Sequence, residues 1–308
     1  MAETRWLPVP DSLVGERADY AISKLLGISR TKVADIFAED GVRVAGVPLK
    51  RSDALSAAMQ LEVSLPEVKP DFKPNPVDVP DLKIVFEDAD IVVIDKPAGV
   101  AAHPSVGWEG PSVPEVLLSR GLELSTSGAQ ERQGIVQRLD VGTSGLMVLA
   151  KGERAYSVLK QAFRDRTVKK TYHALAQGHP DPATGTIDSP IARSTRHDYK
   201  FTVSPLGKRS ITHFKTIEVF PGATLLEVGL ETGRTHQIRV HFSAFRHPLV
   251  GDPLYGSDPK LSARLGLERQ WLHAVQLEFA HPVSGEWLVF TSSYPADLSA
   301  ALEVLRNP

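Results

Sequence analysis

The stretch IVQRLDVGTSGLMVLAK, Ile135 to Lys151, sets an Arg138-Leu139-Asp140 triplet inside an otherwise apolar, β-favouring run. Ile135 and Val136 lead in, and Leu146-Met147-Val148-Leu149-Ala150 lead out, so the pattern reads as a buried strand with a charge pair at its centre. An ionised aspartate in such a strand is costly unless a cation and hydrogen bonds hold it. The turn Gly142-Thr143-Ser144-Gly145 beside it would let another molecule approach the backbone closely. Far downstream, ETGRTHQIR (Glu231 to Arg239) places Arg239 on an apolar-faced helix, where its guanidinium can fork two hydrogen bonds onto a carboxylate. From this pattern alone, a pair that merely fixes packing and a functional site are equally good readings.

Outward from this run, the chain alternates strands and helices without a βαβ rhythm. KIVFED and DIVVIDKPAG read as paired short strands, and a helix follows near Ser112 to Ser119. ERAYSVLKQAFRDR carries Ala155, Leu159, Ala162 and Phe163 on one helical face. VKKTYHALAQG, KRSITHFKTIEVF and ATLLEVGLE are further strands, GRTHQIRVHFSAFRH is a turn entering a helix, and WLHAVQLEFAHPVSGEWLVFTS is a hairpin turning at Ser284-Gly285. This irregular mixture specifies an α+β domain, not a doubly wound one.

Toward the N-terminus, residues 15–65 read as a small module. Ala18 to Leu26 is a short helix that Gly27 can end, Ser29 caps a second helix, and VRVAGVPL is a hairpin about Ala45-Gly46. Arg30, Lys32, Arg43, Lys50 and Arg51 occupy its polar positions; the scatter alone reads as a solvated face. Residues 66–81 hold five prolines and form an extended linker, which leaves 82–308 as the larger domain.

Composition narrows the chemistry. A chain of 308 residues is long enough for two domains with a sizeable core. With no cysteine, disulfides, thiolate nucleophiles and zinc-thiolate sites are excluded. The net charge of −2 neither advertises nor excludes a polyanionic partner, so a nucleic-acid reading must come from local patterning. No apolar run spans a bilayer and the first residues lack the pattern of a signal peptide, so a cytoplasmic location without membrane attachment is expected. Nucleotide-cofactor loops and the serine-hydrolase and zincin motifs are missing, and His236, His241 and His247 fall on different helix faces rather than in a metal-binding arrangement.

Five motifs resemble one family in its order: VVIDKPAGVAAHPS (Val92 to Ser105), QRLDVGTSGLMVLAK, KKTYHALAQG (Lys169 to Gly178), ETGRTHQIRVHFSAFRHPLVGDPLYG (Glu231 to Gly256) and LHAVQLEFAHPVSGE (Leu272 to Glu286). Together they are similar to the RluA/RluD-type pseudouridine synthases, and the N-terminal module resembles the S-four-type RNA-binding domain that often precedes them. The likeness spans roughly residues 15–295. It implies a mixed, mainly antiparallel sheet with flanking helices, behind a small module of helices and a β-hairpin. It also implies an isomerase that converts uridine in RNA to pseudouridine without metal or cofactor. Large-subunit ribosomal RNA is the expected substrate, because the tRNA-specific branch often lacks the S-four-type module; a tRNA substrate is the alternative within the family.

On this resemblance Asp140 matches the catalytic aspartate, Arg239 its basic partner, and Tyr172 the aromatic residue that stacks on the target base and takes part in proton transfer. Arg138 is expected to help hold the RNA open, Thr143 to shape the turn at the site, His236 to line the pocket, and Arg30, Lys32 and Arg43 to contact RNA phosphates. Two positions depart from the family pattern. Gln137 stands where histidine is usual; it can hydrogen-bond RNA without titrating, and it is also the one residue favouring an alternative, an RNA-binding or assembly factor that has lost catalysis. Ala45 stands where the hairpin turn usually has asparagine, so that hairpin is expected to be less well defined. Nothing in the sequence fixes the oligomeric state; a monomer is the default.

Overall fold

A computed structural model describes residues 3–26, 30–65, 76–104, 107–126, 134–195, 197 and 199–307, with the side chains of Glu3, Arg30, Thr31, Lys32 and Asp35 left undescribed. The chain divides into two compact units, Met1–Phe72 and Lys73–Pro308. Most of the proline-rich stretch, and the expected helix-ending Gly27 and helix-capping Ser29, lie outside the described residues.

The first unit holds β1 (Glu3–Pro8), α1 (Ala18–Leu26), α2 (Arg30–Ala38), β2 (Val42–Val44), β3 (Val47–Pro48) and β4 (Gln60–Leu65). Its strands form one antiparallel sheet in the order β1-β4-β2-β3. The sheet therefore recruits β1, which precedes the stretch read as a module. Ala18, Ile22, Val33, Ile36, Leu61 and Val63 make the core. The β2–β3 hairpin does form on a two-residue turn, with Ala45 at φ 49° and Gly46 at φ 80°. Both sit in the left-handed region, as a type I′ turn demands, and alanine pays for that conformation with steric strain.

The second unit contains β5 (Lys83–Glu87), β6 (Ile91–Lys96), α3 (Val113–Ser119), β7 (Ser144–Ala150), α4 (Glu153–Asp165), β8 (Lys169–Gln177), β9 (Thr184–Asp188), β10 (Ile191–Arg193), β11 (Phe201–Val203), β12 (Ile211–Phe220), β13 (Ala223–Leu230), α5 (Gln237–Ala244), α6 (Pro259–Arg264), β14 (Leu272–Ala280), β15 (Trp287–Thr291) and α7 (Ala296–Arg306). One mixed sheet runs β5-β6-β7-β14-β8-β13-β12-β9, with β15 also paired to β14, while β10 and β11 make a separate ribbon. Among the described strand pairs only β7 and β14 run parallel.

Period-two alternation in β6 and β7 sends side chains to both faces of this sheet. Val92, Ile94, Met147 and Leu149 join a core with α3 and α5, whereas Ile91, Val93, Leu146 and Val148 pack with α4. Burial on both faces explains why these strands read as continuous apolar runs. Where β7 meets β14, Gly145 (φ +116°) lies against Ala274, and a Cβ there would fall 2.4 Å from the Ala274 carbonyl oxygen. Only glycine permits this joint.

The structure corrects the reading of the opening stretch. Ile135 makes a single bridge to Leu149, residues 136–140 belong to no strand, and β7 begins only at Ser144. Asp140 thus sits in the approach to a strand, not at its centre. The apolar residues on either side of it belong to two different segments, which periodicity cannot distinguish from one.

Candidate active site

The Asp140 backbone turns sharply: its carbonyl accepts the Thr143 N–H at 3.0 Å. Three side chains clasp this turn. Lys96, fully buried at the end of β6, donates to the carbonyls of Pro97 and Val100, 2.8 Å each, and to that of Val141 at 3.4 Å. Burial pushes its ammonium down to about 7, against the opposing pull of the Asp140 charge. Arg269 donates to the Gly142 carbonyl at 3.0 Å while its guanidinium forks onto Asp297, in the first turn of α7, at 2.7 and 3.0 Å. Gln270 donates to the Thr143 hydroxyl at 3.1 Å, and its amide fills the space a Cβ on Gly142 would need. Thr143 is buried, with its N–H on the Asp140 carbonyl and its hydroxyl on the Gln270 amide.

Arg239 arrives from α5. The entry to that helix is fixed by Gln237, whose buried amide accepts from the Thr232 hydroxyl (2.8 Å) and the Arg234 N–H (3.0 Å). The same amide donates to the Ile211 carbonyl (2.9 Å) and the Thr212 hydroxyl (3.1 Å). Two residues on, Arg239 donates from Nε and Nη2 to the buried carboxylate of Asp252 at 2.7 and 2.9 Å, and from Nη1 to Asp140 Oδ2 at 3.2 Å. Burial alone would lower the guanidinium's pKa, but the two carboxylates outweigh it and hold the group charged. Asp252 also accepts the N–H groups of Leu254 and Tyr255. Arg239 is therefore a bridge between two aspartates.

His236 caps α5 with φ 57° and pairs through Nδ1 with the Tyr255 hydroxyl at 2.8 Å. Its Nε2 lies 3.9 Å from Asp140 Oδ1, beyond hydrogen-bond reach. Burial lowers its pKa, so the ring is neutral at pH 7. His241 and His247 bond elsewhere, to Thr212 and Ser189 and to Gln177.

These elements enclose a cleft of about 310 Å³ in which Asp140 is the one carboxylate among the described residues, and which Gln137, Arg138, Tyr172, His236 and Arg239 also line. Tyr172, on β8, is buried; that burial, with the charge of Asp140 nearby, raises its phenol well above the ordinary range, so it stays protonated throughout neutral pH. A phenol so held is a poor proton donor and supplies no phenolate base at neutral pH, so what it offers the cleft is its ring. Gln137 keeps its amide nitrogen buried in the wall with no acceptor. A buried donor without a partner is costly and marks a place for a ligand atom. Arg138 is exposed at the cleft rim.

Of the seven non-catalytic candidates, four lie at the cleft. Gln137, Arg138, Thr143 and His236 join Asp140, Tyr172 and Arg239 around one cleft, whereas Arg43 lies exposed on β2 of the other unit and the side chains of Arg30 and Lys32 fall outside the described residues. Lys96, Asp252, Arg269 and Gln270 are the site residues the sequence reading passed over. A lysine closing an otherwise apolar strand, and an aspartate between Gly251 and Pro253 after the apolar Leu249-Val250, were the available signals.

Among the described residues, Asp88, Asp90 and His281 are near enough together to suggest a metal group. His281 accepts the Val283 and Ser284 N–H groups through Nδ1 and so donates from Nε2 to Asp88, at 2.9 Å, leaving no free ring nitrogen. No described helix is long and apolar enough to cross a membrane.

Residues 90–244 match the family model described as RNA pseudouridylate synthase. The chain belongs to that family. It is 55% identical over 303 residues, covering 98% of both chains, to an uncharacterised RNA pseudouridine synthase of Mycobacterium bovis. It is 40% identical to ribosomal large subunit pseudouridine synthase D of Nitrosomonas europaea, over 98% of this chain and 88% of that one. Among solved structures it is similar to human RNA pseudouridylate synthase domain containing 4, with a TM-score of 0.57 and 26% identity over 73% of this chain and 93% of that one. The protein is an RNA pseudouridine synthase, an isomerase whose substrate is RNA.

Proposed function

We propose that this pseudouridine synthase acts on specific uridines of large-subunit ribosomal RNA, with Asp140 as the catalytic residue. The observation that carries the reading is the single carboxylate of the cleft among the described residues, held 3.2 Å from the Arg239 guanidinium. The relative named for the large ribosomal subunit, alike over nearly the whole chain, supports the choice of RNA.

The reaction breaks the bond from uracil N1 to ribose C1′, turns the base, and joins C5 to C1′; N1 gains the proton that C5 gives up, so nothing is oxidised. The Asp140 carboxylate either adds to C1′ or takes a ribose proton, and Arg239, 3.2 Å away, orients it in both cases. The target uridine leaves its stack at a cost of about a few kcal/mol. Tyr172 offsets part of this by stacking on the base, worth roughly 1–3 kcal/mol, Arg138 holds the RNA open, and Gln137 gives its unpartnered amide N–H to an RNA acceptor. His236 lines the pocket as a neutral ring.

Residues 15–65 act as an S-four-type RNA-binding module in which Arg30, Lys32 and Arg43 meet phosphates, with residues 66–81 as linker to the catalytic domain, 82–308. The enzyme works as a cytoplasmic monomer.

The test is to incubate the full chain with unmodified ribosomal and transfer RNA and to map pseudouridines by carbodiimide adducts and primer extension. Sites that appear in large-subunit RNA and vanish with Asp140→Asn support the reading. Sites confined to tRNA overturn the substrate assignment. Silence from the wild type with RNA still bound assigns the chain to the inactive-factor alternative that Gln137 favours.

A further inference from the structure

One cation of the cleft, Lys170, has neither a counter-charge nor a hydrogen-bond acceptor among the described residues. Lys170 precedes Tyr172 by two residues on β8, so both side chains leave the same face of the strand, about 7 Å apart along it. Both line the cleft. The Lys170 ammonium sits 5.7 Å from the centre of the Phe163 ring, and the wall beside it is Gly233, which brings no side chain. No hydrogen bond or ion pair engages Lys170 among the described residues. The neighbouring cations are all engaged: Lys169 with Glu278 at 3.6 Å, Arg166 with Glu231 at 3.1 Å, Arg239 with Asp252 and Asp140, and Arg234 with the Arg209 carbonyl at 3.2 Å.

A half-buried ammonium without a carboxylate is costly, and a protein that needed it only for packing would do better with an apolar side chain. Burial, with no opposing charge, pushes Lys170 down to about 8, so an arriving anion would restore its ordinary affinity for the proton. The anion an RNA enzyme meets in its cleft is a backbone phosphate. We propose that Lys170 is a phosphate-binding residue that grips the RNA backbone next to the target uridine while Tyr172 takes the base. The inference rests on the reading in which Tyr172 meets that base; the spacing of the two side chains then spans one nucleotide from base to phosphate.

The test uses the full chain and an unmodified large-subunit rRNA transcript, with binding measured across a range of salt. Lys170→Met is expected to weaken binding about tenfold and to flatten the slope of log Kd against log salt by about 0.7 to 0.9, the value of one phosphate contact. Lys170→Arg keeps the slope. Unchanged affinity and slope in a folded Lys170→Met overturn the proposal, as does lost turnover with binding and slope intact. Should the variants fail to fold, the wild type still decides: saturating transcript protects Lys170 from acylation by an N-hydroxysuccinimide ester, read by mass spectrometry, and equal acylation with and without RNA overturns the proposal. Because binding is read without turnover, failure of the Asp140 reading and failure of this one remain distinct.

Discussion

Asp252 holds the Arg239 guanidinium by two hydrogen bonds, 2.7 and 2.9 Å, and so leaves a third nitrogen aimed at Asp140. The carboxylate that lines the cleft is placed, through Arg239, by another carboxylate outside it. Asp252→Asn removes the charge that keeps this fork in place and leaves a buried cation half-compensated. We expect kcat to fall about 100-fold from misplacement of the Asp140–Arg239 pair, with KM little changed, and stability to fall by roughly 3 kcal/mol. Tritium-release kinetics and a denaturant titration check both; wild-type kcat in the variant would sink the account.

Tyr172 separates into a ring and a hydroxyl. Since its phenol stays protonated, Tyr172→Phe should bind RNA within about threefold of wild type, whereas Tyr172→Ala loses stacking worth roughly 1–3 kcal/mol, or about 5- to 150-fold in Kd. A Phe variant that binds as poorly as Ala would show that the hydroxyl, not the ring, carries the contact.

His273 gives a pH dependence of folding. Its Nδ1 pairs with the Ser144 hydroxyl and its Nε2 with that of Ser292, which in turn donates to Asp95. Burial, with the Arg269 charge adding to it, lowers the ring from 6.5 to about 4. Between those values the unfolded chain binds the proton and the folded chain does not. His273 therefore costs nothing above pH 6.5, and stability falls as pH drops from 6.5 toward 4, by roughly 3 kcal/mol in all. Urea midpoints at pH 7, 5.5 and 4.5 should show this slope in the wild type and a shallower one in His273→Gln; parallel slopes would rule the histidine out.

The hairpin of the first unit can be improved. Ala45 holds φ 49°, where a Cβ costs roughly 1 kcal/mol and asparagine is better suited. Ala45→Asn should stabilise that unit by about 1 kcal/mol, seen as a higher denaturant midpoint, while Ala45→Val should lower it. No change in either variant would mean that the turn relaxes at no cost.

Helices and strands in both units were legible because their apolar spacing is dictated by burial: α1, α4 and the β14–β15 hairpin sit where the pattern puts them. Asp140, Tyr172 and Arg239 were legible through their motifs. Asp252, Arg269 and Asp297 were not, because each looks like an ordinary surface charge until the fold brings it to its partner. A guanidinium that holds a carbonyl 127 residues away leaves no mark on local periodicity. Asp140 itself was put inside a strand, since a bridge at Ile135 and a strand from Ser144 look continuous when only hydropathy is read.

The clasp on the Asp140 turn also limits how the enzyme can be divided. The stretch that matches the family ends at residue 244, yet Asp252, Arg269, Gln270 and Asp297 all lie beyond it. A fragment cut at that limit would keep the motif residues and lose what aims them. The part of this chain that keeps the Asp140 turn as it is built extends into α7, a helix that buries Leu298, Ala301, Leu302 and Leu305 and reaches that turn only through the Asp297–Arg269 pair.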